Sequence, residues 1–576
     1  RVGRATLEWE RTVLVAAGLG SMNSLLKAGT RYAKDREQFG EPIIRFQAIQ
    51  DKIARSRYKL DASRLLIYSS AMKKDAGLPA PIESSIGKLY TTESNVEVAY
   101  DIGQIFGGYC FIHEYPVERA YRDTRLSTLG AGTSEVMRSI IAANMKELHI
   151  DTDLEGEEKE LFHSFRNFCQ KEIAPLTAEM DKKGEVPRSH FEKLYQVGYT
   201  SAMHEAAYGG TDSSYFFATH LQEALAEACG STFFSVGASV GLFGLPLREH
   251  GSDAQKAKYL PDIIKGKKVG ALGVTEPGAG SDVANIQTKA VFRNGKYYLS
   301  GTKTYITNAP ICDYVLILAV VTTLTPQSPS PGGRGGAETL GSPLPPGEGS
   351  GVRVKTGQTV FIVDANAKGM SRGKPMDKLG LKGSPTGELF LDEVEVGEDS
   401  ILGRPGRGFA IIMSAFNRER LALGAYSVGV MAAAIQHCRK YAKERKSFGK
   451  PIIKHQAVAF MISDMITKYE AARQMLHETA WMLDEAGTST DGVSAGHYMH
   501  NGERVELAAR TAALKLMAST YAREVTNLAV QVFGGAGYIE DYPVARLYRD
   551  IKLAEIGGGT SEIMKSIVAR SESKKV

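Results

Sequence analysis

Two stretches of this chain carry apolar residues at spacings of three and four. Leu421, Ala425, Val428, Met431 and Ile435 form one stripe, and Ala16, Leu19, Met22 and Leu26 form another. Such spacing puts each set on one face of a helix, and packing in a helical bundle accounts for them without a ligand. Residues 154–172, 190–230 and 236–262 read as further helices, punctuated by Pro175, by residues 184–187 and by Pro261. From about residue 266 the period changes to two. Residues 269–275, 286–292, 297–303, 305–307, 314–321, 359–363 and 388–396 read as strands, and Asn294-Gly295 between two of them predicts a hairpin. The apolar run 315–321 is short of the roughly 20 residues of a membrane span and reads as a buried strand. Residues 322–357, rich in Pro, Gly and Ser, interrupt this region. Such a composition buries too little apolar surface to offset its ordering entropy, so a disordered loop between two strands is expected.

The helical stripes belong to a duplication. RYAKDREQFGEPII at 31–44 matches KYAKERKSFGKPII at 440–453, and QIFGG at 104–108 matches QVFGG at 531–535. YPVERAYRD at 115–123 matches YPVARLYRD at 542–550, and GAGTSE at 130–135 matches GGGTSE at 557–562. The order is kept and the offset grows only across residues 487–496, a longer loop in the second copy. This is domain duplication rather than a short solenoid repeat. The expected fold class is α+β and multidomain. A partial helical bundle spans 1–150, an all-helical domain 151–268, a middle β domain 269–400 with its loop at 322–357, and a second bundle 401–576.

A length of 576 residues agrees with several domains, and a net charge of +5 spread over it does not argue for nucleic acid, nor does any arginine-aromatic cluster, so no nucleic-acid partner is expected. The five cysteines are scattered without a CxxC pair and there is no HExxH, so no metal site and a reducing, cytoplasmic setting are expected. No signal peptide is read, and no membrane partner is expected. Because the chain starts at Arg1 rather than Met, the start of the gene product is expected to lie upstream. His220, Glu223 and Glu227 fall near one helix face; a solvated surface is the expectation there, since no further ligand stands nearby.

TEPGAGSD at 275–282 follows a strand and precedes a hairpin, which separates it from a Rossmann phosphate loop. Together with YITN at 305–308, Arg445-Lys-Ser-Phe448, Gln531-Val-Phe-Gly-Gly535 and Thr560, it resembles the acyl-CoA dehydrogenase family. The resemblance covers 151–576 as one subunit; residues 1–150 resemble the last domain of a second subunit. It implies a helical N-terminal domain, a middle β-barrel or sandwich domain and a C-terminal four-helix bundle, with FAD between them. By position, Thr275, Ser281 and Thr307 resemble residues contacting the flavin and its ligand, and Tyr305 stands where members often have Trp. Arg445, Phe448, Gln531 and Gly535 resemble residues that reach the adenosine diphosphate part of a neighbouring subunit's FAD. Thr560 and Glu562 resemble local FAD contacts.

The reaction the resemblance implies needs a carboxylate to remove a proton α to a thioester carbonyl, while the β hydrogen leaves as hydride to flavin N5. Many members carry this Glu at the position occupied here by Gly558, which cannot act. In isovaleryl-type and long-chain-type members it sits on the opening helix of the last domain, where this chain has Glu419. Glu419 is therefore the expected base. Ser281, Arg420 and the Gly558 N–H are the expected substrate contacts. An acyl-CoA substrate, an electron-transfer flavoprotein partner, a homo-oligomer or pseudo-dimer, and a place in fatty-acid or branched-chain acyl-CoA catabolism are implied. Competing readings on the same scaffold are a flavin oxidase or monooxygenase and a noncatalytic flavin-binding protein. Residues 1–150 keep Glu10, Arg11, Arg36, Phe39, Gln104, Gly108 and Thr133 but lack the TEPGAGSD string. They are either the tail of an upstream subunit, the favoured reading, or a donor of Arg36 and Gln104 to the FAD of the second unit.

Overall fold

The computed structural model describes residues 2–144, 154–326, 351–487, 497–500 and 503–576. The first bundle is built on α1 (Ala17–Asp35), α2 (Gln47–Asp75), α3 (Pro81–Phe106) and the short α4 (Ser134–Ala143). The helical segment that follows includes α5 (Tyr215–Ala228), and the second bundle consists of α6 (Gly408–Glu444), α7 (Gln456–Ala486), α8 (Leu507–Phe533) and α9 (Ser561–Ser573). All five stripe residues of α6 are buried, as are Leu19, Met22 and Leu26 of α1, while Ala16 is half-buried. α6 starts at Gly408, so Glu419 lies well inside the helix. The longer loop of the second copy, at 488–496, and the boundary near residue 150 lie outside the described residues.

Between the helical segment and the second bundle lies one eight-stranded sheet. Its strands are β1 (Gly270–Gly273), β2 (Lys289–Arg293), β3 (Lys296–Thr307), β4 (Tyr314–Pro326), β5 (Gly351–Asp364), β6 (Met370–Arg372), β7 (Thr386–Val396) and β8 (Ile401–Leu402). The order is β8-β5-β4-β2-β3-β7-β6, with β1 parallel to β4 on the edge that β2 takes further along. β4 explains the continuous apolar run. Val315, Ile317, Ala319 and Val321 enter the core enclosed by the curled sheet, whereas Leu316, Leu318 and Val320 enter a second core with Phe243, Leu260 and Ile412. A strand covered on both faces needs apolar residues at every position.

Two sequence expectations change here. Residues 297–303 and 305–307 are one strand, β3, with a register shift between Lys303 and Ile306 and a positive φ of 58° at Tyr305. Residues 322–357 are not all loop: β4 runs on to Pro326 and pairs antiparallel with β5 from Gly351. Pairing with a neighbouring strand satisfies the backbone there, which composition alone does not register. The remainder of that expected loop, 327–350, lies outside the described residues.

The two bundles pack on each other about a pseudo-two-fold axis. α2 of the first lies on α9 of the second, α7 of the second lies on α4 of the first, and α2 meets α7 at the centre. The ion pairs follow the same exchange: Arg138 to Asp464 at 2.6 Å and Lys565 to Asp51 at 2.8 Å. Arg510 meets Asp61 at 2.9 Å, and the hydroxyls of Tyr90 and Tyr521 share a hydrogen bond of 2.7 Å. Each surface meets the counterpart of its own copy, the geometry of an isologous dimer written into one chain.

Gly230–His250 and Gly408–Glu444 are long and apolar enough to cross a membrane by length and composition, but 72% and 83% of their most apolar windows are buried inside the protein.

Candidate active site

A cavity of about 810 Å³ opens where the helical segment, the sheet and the second bundle meet. Thr275, Ser281, Tyr305, Thr307, Glu419, Arg420, Gly558 and Thr560 all line it. Arg445, Phe448, Gln531, Gly535 and Glu562 do not. Arg445, Phe448, Gln531 and Gly535 are exposed on the outside of the bundle. Glu562 is held below its ordinary pKa by hydrogen bonds from its own backbone N–H and the Thr560 hydroxyl, at the first turn of α9.

The sheet sets the first wall. After β1 the chain turns, and Glu276 folds back into the interior, 6% exposed. Its carboxylate accepts hydrogen bonds from Gln287 N at 2.5 Å, Thr288 N at 2.9 Å, Thr288 Oγ1 at 2.5 Å and Lys303 Nζ at 2.7 Å. Burial opposes its ionisation, but these donors outweigh it and its pKa falls below the ordinary value. The anchor fixes the 275–282 turn against β3, so Thr275, Ser281, Tyr305 and Thr307 face one space. Lys303→Met leaves that carboxylate buried without its cation and is expected to cost about 3–5 kcal/mol. A lower urea midpoint measures it; an unchanged midpoint means the turn is held by its backbone bonds alone. Tyr305 presents a ring that is 69% exposed to the cavity. Asn308, next to Thr307, donates to Ser235 O at 2.7 Å and Gly270 O at 3.2 Å, pinning the end of β3 to the helical segment.

The second wall is α6 and the glycine loop before α9. Gly558 and Gly559 have φ of 63° and 101°, and a Cβ on Gly558 meets Leu423 Cδ1 at 2.8 Å, so this turn requires glycine there. The same Cβ position lies 3.6 Å from the carboxyl carbon of Glu419. Two cations hold the loop: Arg420 Nε donates to Gly558 O at 3.1 Å, and Lys515 Nζ donates to Gly559 O at 2.7 Å. Arg420 is buried, and its other bond goes to Asn417 Oδ1 at 2.8 Å. The Gly558 N–H has no partner among the described residues. Glu419 is pushed up to about 7 by burial, against the pull of Arg420 and Lys515. A carboxyl poised there exchanges its proton near neutral pH.

Residues that the sequence reading passed over complete the walls. Arg418 is buried against Glu249 and donates to Tyr215 Oη at 3.0 Å and Ser414 Oγ at 3.1 Å. Asp550 accepts from Leu381 N at 2.6 Å, which ties the β-domain loop to the bundle, and burial raises it to about 6. Apart from Ser414, one turn back in α6, each partner lies more than a hundred residues away, so these contacts carry no local sequence signal.

His220, Glu223 and Glu227, expected as solvated surface, are all buried. Glu223 accepts from His477 Nε2 at 2.7 Å and lies 3.4 Å from Arg473 Nε, while Glu227 meets Arg166 and Gln436. α7 covers this face of α5, and only the tertiary pairing shows it. Among the described residues no group of three or more His, Cys, Asp or Glu is placed to hold a metal.

Family descriptions match the chain in three parts. "Acyl-CoA dehydrogenase, C-terminal domain" matches residues 1–146 and again 406–572; the N-terminal domain description matches 155–267 and the middle domain description 271–337. The chain belongs to the acyl-CoA dehydrogenase family. It is an oxidoreductase of that family, with FAD as its cofactor, preceded by a partial extra copy of the family's C-terminal domain. It is 34% identical over 418 residues to YngJ of Bacillus subtilis, described as a probable acyl-CoA dehydrogenase, covering 73% of this chain and 98% of that one. Its fold is similar to the butyryl-CoA dehydrogenase of Megasphaera elsdenii, with a TM-score of 0.62, 30% identity, and 73% and 99% of the two chains covered. It is also similar to PigA solved with FAD and proline, with a TM-score of 0.62, 26% identity, and 73% and 98% covered. The residues present fit a flavin: a large apolar cavity, an exposed aromatic ring at Tyr305, hydroxyls at Thr275, Ser281, Thr307 and Thr560, and an unpartnered N–H at Gly558.

Proposed function

We propose that this protein is an FAD-dependent acyl-CoA dehydrogenase that introduces the α,β double bond into an acyl-CoA thioester, with Glu419 as the base. The observation that carries the proposal is the Glu419 carboxyl, lifted to about 7 in the same cavity as Tyr305, Thr307 and the unpartnered Gly558 N–H. Bound FAD supplies the hydride acceptor at its N5. Thr275, Ser281, Tyr305, Thr307 and Thr560, which line the cavity, are the residues that would hold it. The thioester oxygen takes the Gly558 N–H, so negative charge that grows on it as the α-proton leaves is met by a fixed dipole. Arg420 and Lys515 hold the carbonyls of that loop, which keeps the donor aimed. Glu419 takes the α-proton, and its raised pKa lets it release that proton near neutral pH. An electron-transfer flavoprotein is the partner that the family resemblance supplies for reoxidation, and fatty-acid or branched-chain acyl-CoA breakdown is the corresponding setting.

Anaerobic bleaching of the flavin by a panel of straight and branched acyl-CoA thioesters tests this. At least one thioester is expected to bleach it. Steady oxygen consumption with no anaerobic bleaching by any thioester overturns the proposal in favour of an oxidase or monooxygenase.

A further inference from the structure

In the second bundle one face is sealed by α5, and a few contacts do it. Gly429 of α6 lets the two backbones close, since a Cβ there would meet Glu223 O at 2.5 Å. Arg473 of α7 meets the Glu223 carboxylate at 3.4 Å. Asp484, near the end of α7, accepts from Tyr215 N at 2.6 Å and Phe216 N at 2.9 Å at the start of α5. Gln436 of α6 donates to Glu227 at 2.7 Å, one turn further along.

The two copies run in step through these helices, residues 11–75 answering to 420–484 without a gap. Gly20, Arg64 and Asp75 therefore stand where Gly429, Arg473 and Asp484 stand in the second copy. All three keep their residue type although neighbours change: Ala17 replaces Tyr426 and Tyr68 replaces His477. In the first bundle no described residue covers them. A Cβ on Gly20 would meet no atom within 4 Å, and Asp75 is exposed at the end of α2. Arg64 makes no ion pair among the described residues, because the nearby Asp61 is held by Arg57 and Arg510. A cavity of about 350 Å³ opens beside Arg64 and Tyr68, and Tyr68 is 49% exposed. Lys27, exposed and without an ion pair among the described residues, stands where Gln436 bonds Glu227. The bare face thus offers two cations for two carboxylates and an acid for a helix start. The α5 of this chain is already spent on the second bundle, with Glu223 1% exposed, and the same holds in any second copy.

We propose that this face of the first bundle docks a helix of a separate polypeptide that has the pattern of α5. Its start meets Asp75, its backbone lies against Gly20, and two glutamates four positions apart face Arg64 and Lys27. A helical domain of the kind formed by residues 155–267 carries such a helix. The inference depends neither on Glu419 nor on the cofactor.

The test uses the full chain and, as probe, a dye-labelled peptide of residues 214–228, read by fluorescence anisotropy. A staple on the side away from Glu223 and Glu227 keeps it helical. Wild type is expected to bind it. R64M is expected to weaken binding at least about tenfold, the scale of one charge-assisted hydrogen bond. An E223Q peptide is expected to lose the same factor against wild type and nothing further against R64M, as a coupled pair requires. G20L, which fills the line of approach, is expected to abolish binding with the melting temperature of the free chain unchanged. No binding by wild type overturns the inference. So does binding indifferent to R64M or to G20L, the result when the peptide displaces α5 from the second bundle. Self-association of the free chain that G20L removes also overturns it, because a second copy then occupies the face.

Discussion

Replacing Glu419 by Gln is expected to abolish flavin bleaching by acyl-CoA while leaving FAD bound. General-base catalysis contributes roughly 10²–10⁴-fold, and the other described carboxylates lining the cavity are engaged elsewhere: Glu276 holds Lys303 behind the 275–282 turn, and Asp550 accepts from Leu381 N. The same substitution is expected to stabilise the flavin-free protein at alkaline pH. Folding raises the Glu419 pKa from 4.5 to about 7. Between those values the folded state keeps a proton that the unfolded chain releases, so wild-type stability is lost as the pH rises through that window. Below pH 4.5 both states are protonated and the difference vanishes. Above pH 7 it is complete. The full shift converts to ~3 kcal/mol, reduced to about 2 kcal/mol because the carboxyl faces a cavity open to water. Urea unfolding of the two proteins at pH 4.5 and pH 8 reads it directly: the curves should converge at the lower pH and separate at the higher. A variant that still exchanges the substrate α-proton, or one less stable than wild type at pH 8, rejects Glu419 as the buried base.

Glu223→Ala is expected to be the most destabilising single change away from the cavity. Glu223 is 1% exposed and Arg473 2%, and the carboxylate joins α5 to α7 through Arg473 and His477. Its removal takes a carboxylate partner from the buried Arg473 and His477, and breaking such a buried pair costs about 3–5 kcal/mol. The burial of Glu223 acts against its charge, but His477 and Arg473 prevail and its pKa lies below the ordinary value. The stability it confers is therefore present above the ordinary carboxylate pKa and lost only as acid titrates it below that value. A drop in urea midpoint at pH 7 that shrinks at low pH is the expected pattern. A variant within about 1 kcal/mol of wild type at pH 7 shows that the network adds nothing to the fold.

Asp484 shows how such contacts position the site. Its carboxylate accepts from Tyr215 N at 2.6 Å and Phe216 N at 2.9 Å, capping α5 from a different bundle. Tyr215 in turn receives the Arg418 bond beside the base. Negative charge at a helix start is favourable, so this contact sets the helical segment against the helix that carries Glu419.

Much of this was legible in the residues alone. Periods of 3.6 and 2 reflect which side chains face a core, and so marked the α6 stripe and the run that became β4. The family resemblance carried by short motifs named Thr275, Ser281, Tyr305, Thr307 and Thr560, and, with glycine at 558, Glu419; all six line one cavity. These signals are local: a helix face, a strand face or a turn is set by residues a few positions apart. What only the tertiary structure decided is the set of long-range partners. The burial of Glu223 and Glu227, the grip of Arg420 and Lys515 on the glycine loop, and the seating of α2 on α9 each join residues far apart in sequence. A charged side chain on a helix carries the same local pattern whether water or another helix covers it. The fold settles which, because a buried charge survives only where a distant partner comes to meet it.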